Sequence, residues 1–444
     1  MSGRYKAYGE YKDSNIQFLG NIPTNWHVGK IKSMLSLKRE LVGSKSSAFQ
    51  LLSLTLKGII HRDISSGEGK IPASFETYQS LEKGELVFCL FDIDETPRTV
   101  GISSQNGMIT GAYNIYRNTE NCVPNYAYYY FLHIDSFKGL KPFYTGLRKV
   151  VRTETFANIE MFCPSLLEQT QIAAFLDHET AKIDTLIDKQ QQLIELLKEK
   201  RQAVISHAVT KGLDPDVPMK DSGVEWLGEV PEHWKVIYIK HLSEVKRGAS
   251  PRPIDDQKYF DEEGEYAWTR IADVSLAGMY LKDTQQRLSS LGSSLSVKLE
   301  RGELFLSIAG TVGKPCITTS KACIHDGFVY FPSLKINNKY LFYIFDAGQA
   351  YLGLGKMGTQ LNLNTDTVGC IKVALPPSLE IHEIVSYIVK QKEKYDLLIT
   401  SAYEFIELIQ ERRTALISAA VTGKIDVRDW QVPVTQTESD EVMA

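Results

Sequence analysis

Residues 12–32 read KDSNIQFLGNIPTNWHVGKIK, and residues 220–240 read KDSGVEWLGEVPEHWKVIYIK. Ten of these 21 positions are identical, at an offset of 208 residues. A second matching pair lies downstream, LIELLKEKRQAVISHAVTKGLD at 193–214 and FIELIQERRTALISAAVTGKID at 405–426, with 12 of 22 positions identical. The chain is therefore two copies of a unit of about 210 residues, with similar ends and dissimilar middles.

The end of each copy predicts a long helix. Residues 168–208 and 380–420 contain no Gly or Pro and are rich in residues that favour helix. Positions spaced alternately by four and three residues are mostly apolar, which indicates a coiled coil. In the second copy these positions are Ile384, Ile388, Gln391, Tyr395, Leu398, Ala402, Phe405, Ile409, Arg412, Leu416 and Ala419. In the first copy they are Ile172, Leu176, Glu179, Ile183, Leu186, Gln190, Leu193, Leu197, Lys200, Val204 and His207.

Packing the two helices against each other is the economical way to cover both apolar seams. An antiparallel pair is favoured over a parallel one, because the residues between the helices form a whole domain that can return the chain to either end. The predicted divisions are two domains at 1–164 and 213–376, two helices at 165–212 and 377–424, and a polar, flexible tail at 425–444.

The two middles predict mixed α/β (α+β) domains of short strands and helices. Alternating and β-branched runs bounded by turn pairs, such as Asn106-Gly107 and Asp326-Gly327, indicate strands. The predicted strands are 50–54, 85–91, 111–116, 303–308, 314–318 and 328–331. Aromatic stretches at 125–131 and 338–344 predict matching short helices, whose rings are expected in the core rather than stacked on bases. The fold class is thus two α/β pseudo-repeats joined by two long antiparallel coiled-coil helices.

Composition narrows the classes of function. No run approaches the roughly 20 apolar residues of a membrane-spanning helix, and Met1–Tyr11 has no apolar signal-peptide core. A cytoplasmic protein is expected. The six cysteines form no C-x-x-C pair and the nine histidines are scattered, so no metal site is predicted. The net charge of −4 counts mildly against DNA binding, although residues 28–160 hold 16 basic against 13 acidic side chains.

Basic and amide side chains lie on turns at matching places in both middles. Arg and Lys suit guanine edges and phosphates, whereas Asn and Gln suit adenine. The candidates in the first middle are Lys57, Arg62, Arg98, Arg148, Lys149 and Arg152. Those in the second are Lys246, Arg247, Arg252, Arg270, Lys314, Lys356, Thr359, Gln360 and Asn362. Any one of them alone is more typical of a solvated turn, and it is their clustering at matching places in both copies that makes DNA contact an equally good interpretation.

No catalytic constellation assembles from the sequence. The chain has neither a G-x-x-x-x-G-K-[ST] phosphate loop nor a G-x-G-x-x-G cofactor turn. Gly310-Thr311-Val312-Gly313-Lys314 resembles part of a phosphate loop but lacks the first glycine spacing and the following Ser or Thr. The expected function is recognition without chemistry of its own, and no catalytic residue is proposed.

The chain resembles the specificity subunit of a type I restriction–modification system. The resemblance is carried by Leu-Gly-x2-Pro-x2-Trp at 19–26 and 227–234, by the stretch 302–314, and by the helix ends at 200–206 and 412–418. It covers roughly residues 12–426. One departure is that the first middle has 91–95 in place of the Gly-Thr-x-Gly-Lys segment of the second.

This resemblance implies two target-recognition domains that each read half of a gapped site in double-stranded DNA, with the helices as spacer. It also implies two methyltransferase subunits that dock on the helices and methylate adenines, and two restriction (translocase/nuclease) subunits. S-adenosylmethionine, ATP and Mg²⁺ would then be bound by those subunits, and no cofactor by this chain. The helix residues expected to contact partners are Gln190, Lys200, Arg201, Arg412 and Arg413.

Two other functions stay open at this point. One is an assembly scaffold that binds proteins through its duplicated domains, which the near-neutral charge modestly favours. The other is a self-sufficient DNA-modifying enzyme, which would need the catalytic groups that the motif search does not find.

Overall fold

The structure of the protein is a computed structural model that describes residues 5–15, 20–63, 74–146, 149–282, 284–351, 356–357, 360–361 and 363–432. The chain forms two compact units. Unit 1 comprises Met1–Gln190 with Glu404–Ala444, and unit 2 comprises Gln191–Tyr403. Each long helix contributes residues to both units. The domain boundaries proposed above follow the sequence repeat and stay a prediction, and the tail from 433 lies outside the described residues.

Unit 1 is built from short strands and a few helices. Its strands are β1 (Tyr11–Asp13), β2 (Asn21–Pro23), β3 (His27–Lys30), β4 (Leu35–Lys38), β5 (Leu52–Thr55), β6 (Gly58–His61), β7 (Gln79–Leu81), β8 (Leu86–Phe88), β9 (Val100–Ile102), β10 (Gly107–Ile109), β11 (Asn114–Asn118) and β12 (Glu160–Cys163). Its helices are α1 (Ile31–Met34), α2 (Pro124–Ser136), α3 (Thr153–Asn158) and the first part of α4 (Leu166–Lys211). The largest sheet of unit 1 has the antiparallel order β4-β11-β8-β9.

Unit 2 is also built from short strands and helices, and it has more strands than unit 1. Its strands are β13 (Met219–Asp221), β14 (Glu229–Pro231), β15 (Lys235–Tyr238), β16 (Lys246–Arg247), β17 (Tyr266–Thr269), β18 (Tyr280–Leu281), β19 (Arg287–Leu288), β20 (Val297–Leu299), β21 (Leu304–Ser307), β22 (Pro315–Thr318), β23 (Ala322–Ile324), β24 (Phe328–Tyr330), β25 (Lys356–Met357), β26 (Gln360–Leu361) and β27 (Lys372–Leu375). Its helices are α5 (Ile239–Leu242), α6 (Ile271–Leu276), α7 (Ser290–Ser294), α8 (Asn338–Asp346), α9 (Thr365–Gly369) and most of α10 (Ser378–Val421). Two sheets have the orders β16-β24-β21-β22-β18 and β19-β17-β23-β20.

The strands and aromatic helices expected from the sequence are confirmed. β5, β8, β11, β21, β22 and β24 fall on the six predicted runs, within a few residues at each end. Tyr126 of α2 and Tyr340 of α8 are fully buried. Each hydroxyl donates to a backbone carbonyl of the last strand of its copy, Phe162 O at 3.0 Å and Ala374 O at 2.9 Å. The aromatic stripe therefore belongs to the core, since a buried Tyr needs such a partner.

The duplicated Leu-Gly-x2-Pro-x2-Trp motif ties the opening of each copy to a long helix. In unit 1, Trp26 is buried and its Nε1 donates to Glu168 at the start of α4, at 2.8 Å. In unit 2, the Nε1 of Trp234 donates to Glu380 at the start of α10, at 3.0 Å. The motif glycine, Gly20, has a φ of +63°, a backbone conformation that favours glycine. The repeated motif thus has a structural role in both copies.

The two long helices run antiparallel within each unit. In unit 1, Arg413 of α10 lies 3.2 Å from Asp184 of α4. In unit 2, Arg201 of α4 pairs with Asp396 of α10, and Lys198 donates to the hydroxyl of Tyr403. Residue numbers rise on one helix as they fall on the other, which confirms the antiparallel prediction.

The predicted seam of the coiled coil is buried at several positions, including Ile172, Ile384 and Ile409, but wrong at others. Leu398 and Phe405 were expected in the seam but are exposed, whereas the next residues, Ile399 and Ile406, are buried. The same shift of one residue occurs on α4, where Leu193 is exposed and Ile194 is buried. Leu186, Lys200, His207 and Arg412 of the predicted seam are likewise exposed. A seven-residue repeat accepts its second apolar position at i+3 or i+4, and both positions are apolar here.

Candidate nucleic-acid interface

In unit 1, a β-hairpin exposes the predicted contact residue Lys57, and a second predicted residue, Arg98, is hydrogen-bonded to the turn of that hairpin. Lys57 is exposed in the turn between β5 and β6. Arg98 donates from Nη2 to the carbonyl of Leu56 at 3.0 Å, and from Nη1 to the hydroxyl of Tyr128 at 3.4 Å. Arg62 follows β6 and is half-buried, and its backbone N–H donates to Leu51 O at 2.9 Å. The hairpin is therefore held in place, with Lys57 facing solvent.

The basic loop after residue 144 is partly neutralised by carboxylates. Lys149 lies 3.1 Å from Asp94 and 3.3 Å from Glu95. Hydrogen bonds from the Tyr144 hydroxyl and from Lys149 hold the pKa of Asp94 below its ordinary value. Arg152, just before α3, is exposed. Arg152 is thus the more available cation of this loop, and the predicted contact Arg148 lies outside the described residues.

Unit 2 contains a concave, polar pocket of about 610 Å³ that brings two predicted arginines together. Arg252 and Arg270 both line it, and the buried Trp268 contributes an aromatic surface. Arg270 donates to the side-chain oxygen of Gln286, which also lines the pocket. His325 is a further lining residue. The pocket offers guanidinium donors and an amide in one concavity, and these groups bind nucleobase edges.

Asp326 binds two arginines at the edge of this pocket, one through its carboxylate and the other through its backbone carbonyl. Asp326 Oδ2 accepts from Arg252 Nη2 at 3.0 Å, and its backbone carbonyl accepts from Arg247 Nε at 2.6 Å. Burial raises the pKa of Asp326, but hydrogen bonding from Ser250 and the charges of both arginines outweigh it and hold that pKa below its ordinary value. Asp326 is therefore ionised near neutral pH.

Burial lowers the pKa of His325, although the nearby Asp326 opposes this shift. The Nδ1 of His325 accepts from Gly327 N at 2.8 Å. A ring nitrogen that accepts a hydrogen bond is unprotonated, so His325 contributes a neutral imidazole to the pocket.

The other predicted residues of unit 2 lie apart from the pocket lining. Lys246 is paired with Glu244 at 2.7 Å. Lys314 donates to Ser275 O at 2.6 Å, so the Gly-Thr-Val-Gly-Lys segment ties to α6. Lys356 and Gln360 lie in the paired strands β25 and β26, and their side chains are not described. The remaining predicted contacts, Thr359 and Asn362, lie outside the described residues.

The five helix residues expected to bind partners fall into two groups. Arg201 and Arg413 already form ion pairs within the chain. Hydrogen bonds from Lys392 and Arg201 overcome the effect of burial and hold the pKa of Asp396 below its ordinary value. Lys200 and Arg412 are exposed and Gln190 is half-buried. Lys200 and Arg412 are therefore the most accessible of the five side chains.

Sequence reasoning missed Asp326, Gln286 and His325. Asp326 appeared in the sequence only as half of a turn pair, and it lies 74 residues from Arg252. No local spacing signals a contact over that distance. An Asp that precedes a Gly, such as Asp326 before Gly327, is typical of an ordinary turn as well as of a binding site.

The described residues hold no cluster of three or more His, Cys, Asp or Glu side chains that could bind a metal ion. All six cysteines are free, and Cys370 is the exposed one. No helix in the described part of the chain is both long and apolar enough to span a bilayer.

The sequence of this chain is similar to a known protein family and to proteins of known type. A family model described as the type I restriction modification DNA specificity domain matches residues 231–416. The chain is 24% identical over 453 residues to the putative type I restriction enzyme MjaX specificity subunit of Methanocaldococcus jannaschii, covering 94% of this chain and 98% of that relative. It is 26% identical over 303 residues to the MjaVIII specificity subunit of the same organism, covering 64% of this chain and 66% of that relative.

Solved structures share the fold. A chain from a structure of a type I R-M system aligns with a TM-score of 0.68 and 14% identity, covering 91% of this chain and 99% of that one. The HsdS subunit from Thermoanaerobacter tengcongensis aligns with a TM-score of 0.54 and 14% identity, covering 91% and 98%. These likenesses confirm the fold class expected from the sequence.

Proposed function

Because this chain belongs to the specificity subunits of type I restriction–modification systems, we propose that it recognises a DNA site made of two separated halves. Each unit reads one half, and the paired helices α4 and α10 set the gap. The observation that carries the proposal is the pocket of unit 2, where Arg252 and Arg270 stand beside Trp268 and Gln286. Arginine is the commonest reader of guanine, through two hydrogen bonds to O6 and N7.

The chain supplies recognition and its partners supply chemistry. Two methyltransferase subunits bind the helices, and two restriction subunits complete the complex. S-adenosylmethionine, ATP and Mg²⁺ are bound by those subunits, and this chain has no catalytic role. Its location is the cytoplasm, where the DNA is.

Exposed apolar side chains on the long helices support this docking. Leu186 and Leu408 in unit 1, and Leu196 and Leu397 in unit 2, are 43%, 61%, 62% and 67% exposed. Apolar patches rimmed by polar residues mark protein interfaces. Lys200 and Arg412 provide the exposed charges on the same helices.

Binding of purified chain and methyltransferase partner to duplex DNA tests the proposal. We expect protection of two short segments with an unprotected gap, and an affinity that falls about 10³-fold or more between 50 and 200 mM salt, as phosphate contacts require. A random duplex of the same length is the control. One continuous footprint, or equal affinity for the random duplex, would contradict recognition of a split site.

Salt dependence also distinguishes the scaffold function, which the net charge of −4 favours. A protein-binding scaffold would retain no salt-sensitive affinity for DNA.

Incubating the lone chain with DNA, S-adenosylmethionine, ATP and Mg²⁺ tests the self-sufficient enzyme, and we expect neither methylation nor cleavage.

A further inference from the structure

We propose that Asp326 is a positioning residue that sets the base specificity of unit 2, because its carboxylate holds Arg252 in a fixed orientation toward a guanine edge while its backbone carbonyl holds Arg247 beside it. This inference rests on the proposed function of DNA recognition. It assigns to Asp326 an effect that acts through Arg252 on one half-site.

Asp326 lies in the turn between β23 and β24 and accepts hydrogen bonds on three oxygens. Its Oδ1 accepts from Ser250 Oγ at 3.0 Å, and its Oδ2 from Arg252 Nη2 at 3.0 Å. Its backbone carbonyl accepts from Arg247 Nε at 2.6 Å. Hydrogen bonds to charged groups are roughly twice as strong as neutral ones. Both guanidinium groups are thereby tied to one short turn.

The backbone beneath these side chains is also tightly constrained. Arg247 in β16 pairs with Val329 in β24, and Ala249 N donates to Ile324 O at 3.1 Å. A Cβ on Gly248 would lie 2.2 Å from the carbonyl oxygen of His325, so only glycine allows this approach. The segment that carries both arginines is therefore fixed directly against the turn that carries Asp326.

Each arginine keeps donors free for a ligand. A guanidinium has five N–H donors in a rigid planar arrangement, and Asp326 is bonded to one nitrogen of each. The Arg252 side chain is 75% exposed, and Arg247 is also exposed. Two cations balanced by one carboxylate leave a net positive charge. Guanine offers two acceptors, O6 and N7, at the spacing that one guanidinium binds.

An arginine discriminates between bases only when its guanidinium is held in a fixed orientation. A mobile arginine binds any phosphate, and phosphate contacts carry no sequence information. An arginine held beside a carboxylate donates in one direction, and the carboxylate repels acceptors placed elsewhere. The structure therefore assigns Asp326 to specificity rather than to affinity.

Mapping methylated adenines produced by the complete complex tests this role. We expect Asp326→Asn to lower discrimination about tenfold at one or two positions of a single half-site. The other half-site stays unchanged and serves as an internal control. Asp216→Asn is the matched control, because Asp216 is an exposed carboxylate of unit 2 that does not line this pocket, and it should leave both half-sites unchanged.

Arg252→Lys keeps the charge but loses the planar donors, and we expect it to relax the same half-site as Asp326→Asn. If Asp326→Asn fails to fold, the base specificity of Arg252→Lys tests the inference instead. An unchanged motif for both variants, or equal loss in both half-sites by a folded variant, would overturn the inference. A wild-type complex that methylates no two-part site would instead contradict the proposed function itself.

Discussion

Insertion of seven residues into both α4 and α10 is expected to lengthen the gap between the half-sites by about three base pairs. Seven helical residues add about 10.5 Å at 1.5 Å each, and one base pair of DNA occupies about 3.4 Å. Duplicating Gln191–Leu197 in α4 and 397–403 in α10 preserves the seam, because each insert is one heptad. Affinity for the original site should fall toward the value for random DNA.

The inserted complex is best assayed against a panel of duplexes in which only the gap length varies. A length-matched control carries both seven-residue segments appended after Ala444, which lengthens the chain equally without altering either helix. The control should retain the original gap. If the inserted complex also prefers the original gap, then the helices do not set the spacing.

Glu168→Ala is expected to destabilise unit 1 by about 3–5 kcal/mol, since each buried donor left without a partner costs about 1–3 kcal/mol. Glu168 is 2% exposed. Its carboxylate accepts from the Trp26 indole at 2.8 Å, from Asn25 Nδ2 at 2.9 Å and from the Tyr8 hydroxyl. Tyr8 and Trp26 are both buried, so water cannot replace the lost acceptor.

Glu380→Ala is the matched variant in unit 2. Glu380 accepts from Trp234 and from His233, but its side chain is 25% exposed and that of His233 is 45% exposed. We therefore expect a smaller loss, about 1–2 kcal/mol. Denaturant unfolding of both variants measures the difference. If Glu168→Ala lowers the free energy of unfolding no more than Glu380→Ala does, then burial of the glutamate does not explain the difference.

The elements that sequence reasoning predicted well are those with strong local signals. The Gly- and Pro-free segments became α4 and α10 almost to their ends, and the turn pair Asp326-Gly327 does lie between β23 and β24. The repeated tryptophan motif indicated a shared role, and Trp26 and Trp234 do bind equivalent glutamates. Local propensity and repetition suffice for such features.

Features that depend on distant contacts were not accessible from the sequence. Leu398 and Ile399 are both apolar, so periodicity alone does not tell which faces the partner helix. Lys149 was singled out for its charge, but Asp94 and Glu95, more than 50 residues away, neutralise it. The same limit hid Asp326, whose partner Arg252 is fixed by sheet pairing rather than by spacing.

A map of methylated adenines, made with the chain and its methyltransferase partner on genomic DNA, tests the central claim most directly. We expect one motif with two specific half-sites and a gap of constant length and free sequence. A single uninterrupted motif, or two half-sites at variable separation, would contradict it.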